Sequence, residues 1–207
     1  TIRLSRDLSL LYVHNVIDGT VSIIETREFR TEDVVLVSDL QVSIDVLLGA
    51  QLFHAADNPQ LTRSNRISCA ACHFDGQSDG RIWQGLPDGP RNTPVLYGLA
   101  ETAPYNWSGT WDEVADVELK IRGLQAGRGL IDGPTNTALG DLHAGLSVDL
   151  DTLADYVVNL PPPRTPAIDD TSLINRGETV FLEQGCATCH AGTSGTDGLA
   201  YDVGTGG

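Results

Sequence analysis

The polarity pattern along the chain changes character near residue 40. Before that point, short apolar runs alternate with turn residues. Leu10 to Val16 reads as a strand, Asp18-Gly19 as a hairpin turn, and Thr20 to Thr26 as the returning strand. Val34 to Val37 offers a third strand-like run. A few strands bury little apolar surface alone, so this segment calls for a partner surface in the chain or outside it.

From Ser43 the apolar period becomes helical. Ile44, Leu47, Leu48 and Leu52 share one helical face, with Ser43 placed to cap it. Thr110 to Glu113 has the form of a capping box, followed by Val114, Val117 and Ile121 on one face. Leu150, Leu153, Ala154, Val157 and Val158 mark another amphipathic helix after Ser147, and Pro161-Pro162-Pro163 stops it. A last helix is predicted from about Ser172 to Gln184. The expected fold is mainly α with long Gly- and Asp-rich loops, preceded by a small β-hairpin or sheet.

Composition narrows the class. The chain has 207 residues, enough for one domain or two small ones. Asp and Glu number 28 against 13 Lys and Arg, for a formal charge of −15. An acidic chain without a basic run is not built to displace counterions from nucleic acid. No apolar run reaches the 18 or so residues of a membrane span. A hydrophobic content of 41% argues against disorder. Methionine is absent and the first residue is Thr1, as expected of a processed or excised segment.

The cysteines carry the chemistry. Cys69-Ala70-Ala71-Cys72-His73 and Cys186-Ala187-Thr188-Cys189-His190 are both C-x-x-C-H, the attachment signature of c-type haem. Two thiols one helical turn apart can each add to a vinyl group of one porphyrin. The adjoining histidine, His73 or His190, then becomes the proximal iron ligand. A zinc ribbon would place its two C-x-x-C pairs closer in sequence. A thioredoxin-like pair needs one motif at a strand-to-helix junction, and plain disulfides do not explain the trailing histidines. The reading is two haem c groups. Thioether attachment occurs outside the reducing cytoplasm, which implies a periplasmic or extracellular protein.

The motifs sit in a repeat. Gly49-Ala50-Gln51-Leu52-Phe53 precedes the first and Gly177-Glu178-Thr179-Val180-Phe181 the second, while Asp79-Gly80 and Asp197-Gly198 follow them. The expected organisation is a β segment over 1–40, a first cytochrome c-like unit over 41–160, a proline-rich linker over 161–171, and the start of a second unit over 172–207. The residues from Ala191 onward are too few to wrap a porphyrin. The second unit is therefore expected to be completed by further chain or by a neighbouring surface.

These stretches, together with Ile67-Ser68 and Arg91-Asn92-Thr93-Pro94, resemble the bacterial dihaem cytochrome c peroxidase and MauG family. Tyr12-Val13-His14-Asn15 and Asp18 to Ile23 are similar to a blade of the YVTN-type β-propeller that precedes the dihaem region in one subgroup. The resemblance implies an exported redox protein that takes electrons at one haem and uses them at the other. Peroxidases of this family carry a His/Met haem as electron reservoir, whereas this chain has no methionine. It also has no histidine between His73 and His143.

Three histidines remain as candidate distal ligands: His14, His54 and His143. Their alternative roles are a surface strand residue, a helix-end carbonyl partner and a solvated loop residue, respectively. Trp83, Trp107, Trp111 and Tyr105 are candidates for haem-pocket lining, electron hopping or plain packing. Arg91 suits a haem propionate or a surface ion pair. Glu101 and Glu113 are candidates for acid–base work at a peroxide site, with helix capping the simpler role for Glu113. The Asp-Gly segments at 75–80 and 197–198 hint at calcium but lack EF-hand spacing, and turns account for them better.

Three functions follow. The first is electron transfer through two six-coordinate haems to a redox partner, which an acidic surface would select as basic. The second is a peroxide-reducing or MauG-like enzyme with one open iron. The third is a haem-stacking subunit of a homo-oligomer or filament, because an uncovered second haem would expose an apolar face.

Overall fold

The computed structural model describes residues 1–39, 41–86, 89–164, 166–202 and 204. Its N-terminal part is a four-stranded antiparallel meander of β1 (Ile2–Leu4), β2 (Leu10–Asn15), β3 (Thr20–Glu25) and β4 (Arg30–Leu36), paired in sequence order. The hairpin predicted at Asp18-Gly19 closes β2 on β3, with His14 opposite Val21 and Asn15 opposite Thr20. Gly19 adopts φ 63°, the left-handed turn conformation that glycine takes without strain. Sequence alone missed β1, whose three residues are too short for a visible period, and it placed the start of β4 late. Four sequential antiparallel strands form the architecture of one propeller blade. The outer strands expose Ile2, Leu4, Val34, Val35 and Leu36.

Among the described residues five α-helices follow the sheet: α1 (Ile44–His54), α2 (Cys69–Cys72), α3 (Val117–Gly123), α4 (Val148–Val158) and α5 (Thr171–Glu183). They are short and separated by long loops, so the chain is less helical than a mainly α fold. The cap predicted at Ser43 forms, with Ser43 accepting from the Val46 amide; α4 and α5 are capped by Ser147, which accepts from the Leu150 amide, and Asp170, which accepts from the Leu173 amide.

The capping box at Thr110–Glu113 does not form. Val114–Asp116 is a 3-10 turn leading into α3, and the Glu113 side chain makes no cap bond there. Its carboxylate reaches across the fold to the backbone amides of His143 and Ala144. A distant loop with unpaired N–H groups outcompetes the local cap for the same acceptor.

The core lies where α1 crosses α4, built on Phe53, Leu150, Leu153 and Val157, with Leu61 and Ile121 closing it. Gly49 sets the crossing distance. A Cβ there would lie 1.9 Å from the Thr152 carbonyl oxygen and 2.7 Å from the Tyr156 Cβ. Beneath α3, the fully buried Glu118 accepts from the Leu130 and Ile131 amides at 2.9 and 3.2 Å and pairs with Arg122 at 2.7 Å. This arrangement fixes the 129–131 loop to the core. Helix α5 buries none of its residues.

Candidate haem sites

Both C-x-x-C-H motifs fold as tight helical turns. Cys69–Cys72 forms α2, and Cys186–Thr188 forms a 3-10 turn. The i, i+3 spacing brings each thiol pair to one side of its turn. All four cysteines are free thiols, partly buried. Burial pushes the Cys69 and Cys72 thiols above the usual range, and Asp79 raises Cys72 further.

The two histidines are held alike. His73 Nδ1 lies 3.0 Å from the Pro94 carbonyl, and His190 Nδ1 lies 3.1 Å from the Gly195 carbonyl. A carbonyl can only accept, so each Nδ1 carries the proton and each Nε2 keeps its lone pair. That is how a ligating imidazole is oriented in metalloproteins. Burial also holds the His73 ring below the ordinary imidazole range, which favours the neutral, ligating form. Two thiols beside one oriented Nε2 are the donor set of haem c, present twice. Cys69, Cys72 and His73 fit one group, and Cys186, Cys189 and His190 fit the other.

The repeat extends beyond the motifs to side-chain level. In the first unit Asp79 accepts from the Arg81 amide at 3.0 Å and from the Trp83 indole N–H at 3.1 Å. In the second, Asp197 accepts from the Leu199 amide at 3.0 Å and from the Tyr201 hydroxyl at 2.5 Å. Each unit thus uses an aspartate after its motif to pin the aromatic residue four positions on. These carboxylates accept from the backbone amides of their own turns. Trp83 also donates to Thr93 Oγ1 at 3.1 Å, tying the loop after α2 to the segment that carries Pro94. Phe181 lies beside His190, with ring centroids 6.3 Å apart.

Other candidates sort by position. The Arg91 guanidinium lies 5.7 Å from the Trp107 ring, with Nη1 donating to the Pro90 carbonyl. Lys120 lies 5.9 Å from the Trp111 ring, and the Tyr105 hydroxyl donates to the Leu99 carbonyl. Glu101 accepts from the Ser194 hydroxyl at 3.0 Å, a link between the first unit and the loop after the second motif.

The three remaining histidines lie in different environments. His14 is exposed on β2. His54 holds the Ala50 carbonyl at 2.8 Å through Nδ1, the helix-end role expected of it. His143 departs from the solvated loop position expected of it: it is fully buried, with Nδ1 2.7 Å from Asp116 Oδ1. Sequence reasoning missed Asp116, which carries no motif. It also missed the Pro94 and Gly195 carbonyls, because a main-chain acceptor has no residue signature.

A family profile described as di-haem cytochrome c peroxidase matches residues 44–127. The chain is similar to methylamine utilization protein MauG of Methylorubrum extorquens, 29% identical over 188 residues covering 77% of this chain and 52% of that protein. It is similar to cytochrome c551 peroxidase of Pseudomonas aeruginosa, 28% identical over 186 residues covering 74% and 52%. It is also similar to cytochrome c peroxidase Ccp of Escherichia coli, 26% identical over 187 residues covering 71% and 37%. The chain therefore spans about half or less of the length of these relatives. A solved structure described as a MauG-like protein associated with microbial copper homeostasis aligns with a TM-score of 0.44 at 15% identity, covering 81% of this chain and 54% of that one. The profile spans α1 to the end of α3, three relatives run through most of the chain, and both units carry the C-x-x-C-H groups, so these matches support a likeness to the dihaem cytochrome c peroxidase and MauG family.

Proposed function

We propose that this protein is an exported dihaem c-type cytochrome that transfers electrons through two covalently attached haems. The observation that supports this best is the duplicated arrangement at His73 and His190, each with Nδ1 tied to a carbonyl and Nε2 left for iron. Cys69 and Cys72 would hold one porphyrin, and Cys186 and Cys189 the other. The haem supplies reversible one-electron iron chemistry when bound. The chain's residues would orient the His73 and His190 rings, line the bound groups with Trp83 and Phe181, and set the surrounding charge. Arg91 is the candidate propionate partner, held against Trp107. His14, His54 and His143 remain candidates for the far side of an iron, His143 with Nδ1 held by Asp116. Covalent attachment places the protein in the periplasm or outside the cell. The β-meander fits a blade of the propeller found in one subgroup of the family.

A second reading is favoured by the relatives named as peroxidases: one haem keeps an open site and reduces peroxide. Low-temperature EPR of the oxidised protein separates the two. Two low-spin ferric signals support electron transfer, and a substantial high-spin signal moves the reading to peroxide chemistry. A pyridine haemochrome assay finding other than two haems c per chain overturns both.

A further inference from the structure

One cluster of metal-ligating side chains lies apart from the haem motifs. Glu113, Asp116 and His143 each offer a ligand atom, all within 4.8 Å of one another; among the described residues no other such group of three occurs. Asp116 is 2% exposed and His143 fully buried. His143 Nδ1 lies 2.7 Å from Asp116 Oδ1 and 3.7 Å from Glu113 Oε1. Two atoms of these residues, Asp116 Oδ2 and His143 Nε2, are buried with no hydrogen-bond partner. A buried carboxylate oxygen without a partner is costly, and two neighbouring carboxylates compound the cost.

We propose that Glu113, Asp116 and His143 bind a divalent first-row ion of the zinc class. Zinc bonds to imidazole nitrogen and carboxylate oxygen run near 2.0–2.1 Å, so ligand atoms around a tetrahedral ion stand about 3.3 Å apart. The observed 2.7 and 3.7 Å bracket that spacing, and small side-chain shifts reach it. Binding shifts the imidazole proton from Nδ1 to Nε2, and the ion takes its place on Nδ1. Two carboxylates, a neutral imidazole and M²⁺ then carry no net charge. A water completes the fourth position. The imidazole in the set selects against calcium and magnesium, which take oxygen ligands. The ion would clamp the 113–116 turn to the loop that enters α4, a structural role distinct from electron transfer.

The test uses the haem-loaded full chain, dialysed against a chelator and titrated with Zn²⁺ alone. Calorimetry and metal analysis should find one zinc per chain and a raised melting temperature, with the haem count unchanged. Glu113→Gln and Asp116→Asn should each weaken binding tenfold or more, while Glu28→Gln, exposed on the β3–β4 turn, should leave it unchanged. Glu113 reaches the surface, so E113Q keeps the test valid if the Asp116 variant does not fold. Absence of stoichiometric zinc in the wild-type chain overturns the proposal, as does equal affinity in E113Q.

Discussion

At the scale of single residues, the structure separates groups that bind by side chain from groups that position through the backbone. Cys69, Cys72 and His73 are proposed for the first kind and are legible in sequence, because haem attachment requires those residue types at that spacing. The Pro94 carbonyl that orients His73 is of the second kind, and only the fold reveals it. Glu118 shows the same limit. In sequence it is one acid among 28, yet it is fully buried and holds two amides and a guanidinium. Glu118→Gln removes the charge opposing Arg122 and leaves one amide facing an NH₂ group. The variant should lose roughly 3 kcal/mol of stability, read by denaturant unfolding of the haem-loaded chain. A loss below about 0.5 kcal/mol would show that water already solvates this pair.

At the scale of elements, the periodic segments were legible and the segments shaped by distant contacts were not. The helices after Ser43 and Ser147 start where the apolar period places them. The box at Thr110–Glu113 was misread, because its acid is drawn to a loop thirty residues away. The repeat also conceals a difference that only packing exposes. Gly49 and Gly177 hold equivalent positions before the two motifs. A Cβ at Gly49 would strike the Thr152 carbonyl, whereas one at Gly177 meets nothing within 4 Å. Gly49→Ala should therefore destabilise the chain by about 1–3 kcal/mol through overpacking at the α1–α4 crossing. Gly177→Ala should instead stabilise α5 by roughly 0.5–1 kcal/mol, the usual gain of alanine over glycine in a helix. Thermal melts of the two variants moving in the same direction would show that α5 is packed as tightly as α1.

Helix α5 also carries a pH signature. The Ser172 hydroxyl and then the Leu173 amide hold the Asp170 carboxyl below its ordinary value. A depressed carboxylate lends stability that is full above its unfolded value of about 3.8 and is lost as pH falls through the folded value. The Leu173 amide resonance should thus stay constant from neutral pH to about pH 4 and move below it. Asp170→Asn, which still caps but does not titrate, should remove that acid limb. A titration unchanged in the variant would assign the transition to another group.

At the scale of the whole molecule, two units share one local plan but not one environment. The first sits on a packed core of α1, α3 and α4, while the second presents its motif on a turn just after a helix with no buried residue. The sequence made the duplication legible through its motifs. It could not show the contact between Glu101 and Ser194 that bridges the units, because that pairing depends on how the loops lie. Charge is the other molecular property, and it was legible from composition alone. At −15, the chain generates a field that extends about one Debye length, near 10 Å at 0.1 M salt. A cationic redox partner approaching any face would be drawn in before contact, and a neutral or acidic one would not. Electron exchange with a basic cytochrome should therefore accelerate at low salt and fall at least tenfold between 10 mM and 300 mM. With an acidic donor the slope should vanish or reverse. Stopped-flow reduction across an ionic-strength series measures both slopes. A rate independent of salt with the basic partner would mean that the docking patch is locally neutral, and that partner choice rests on shape rather than on field.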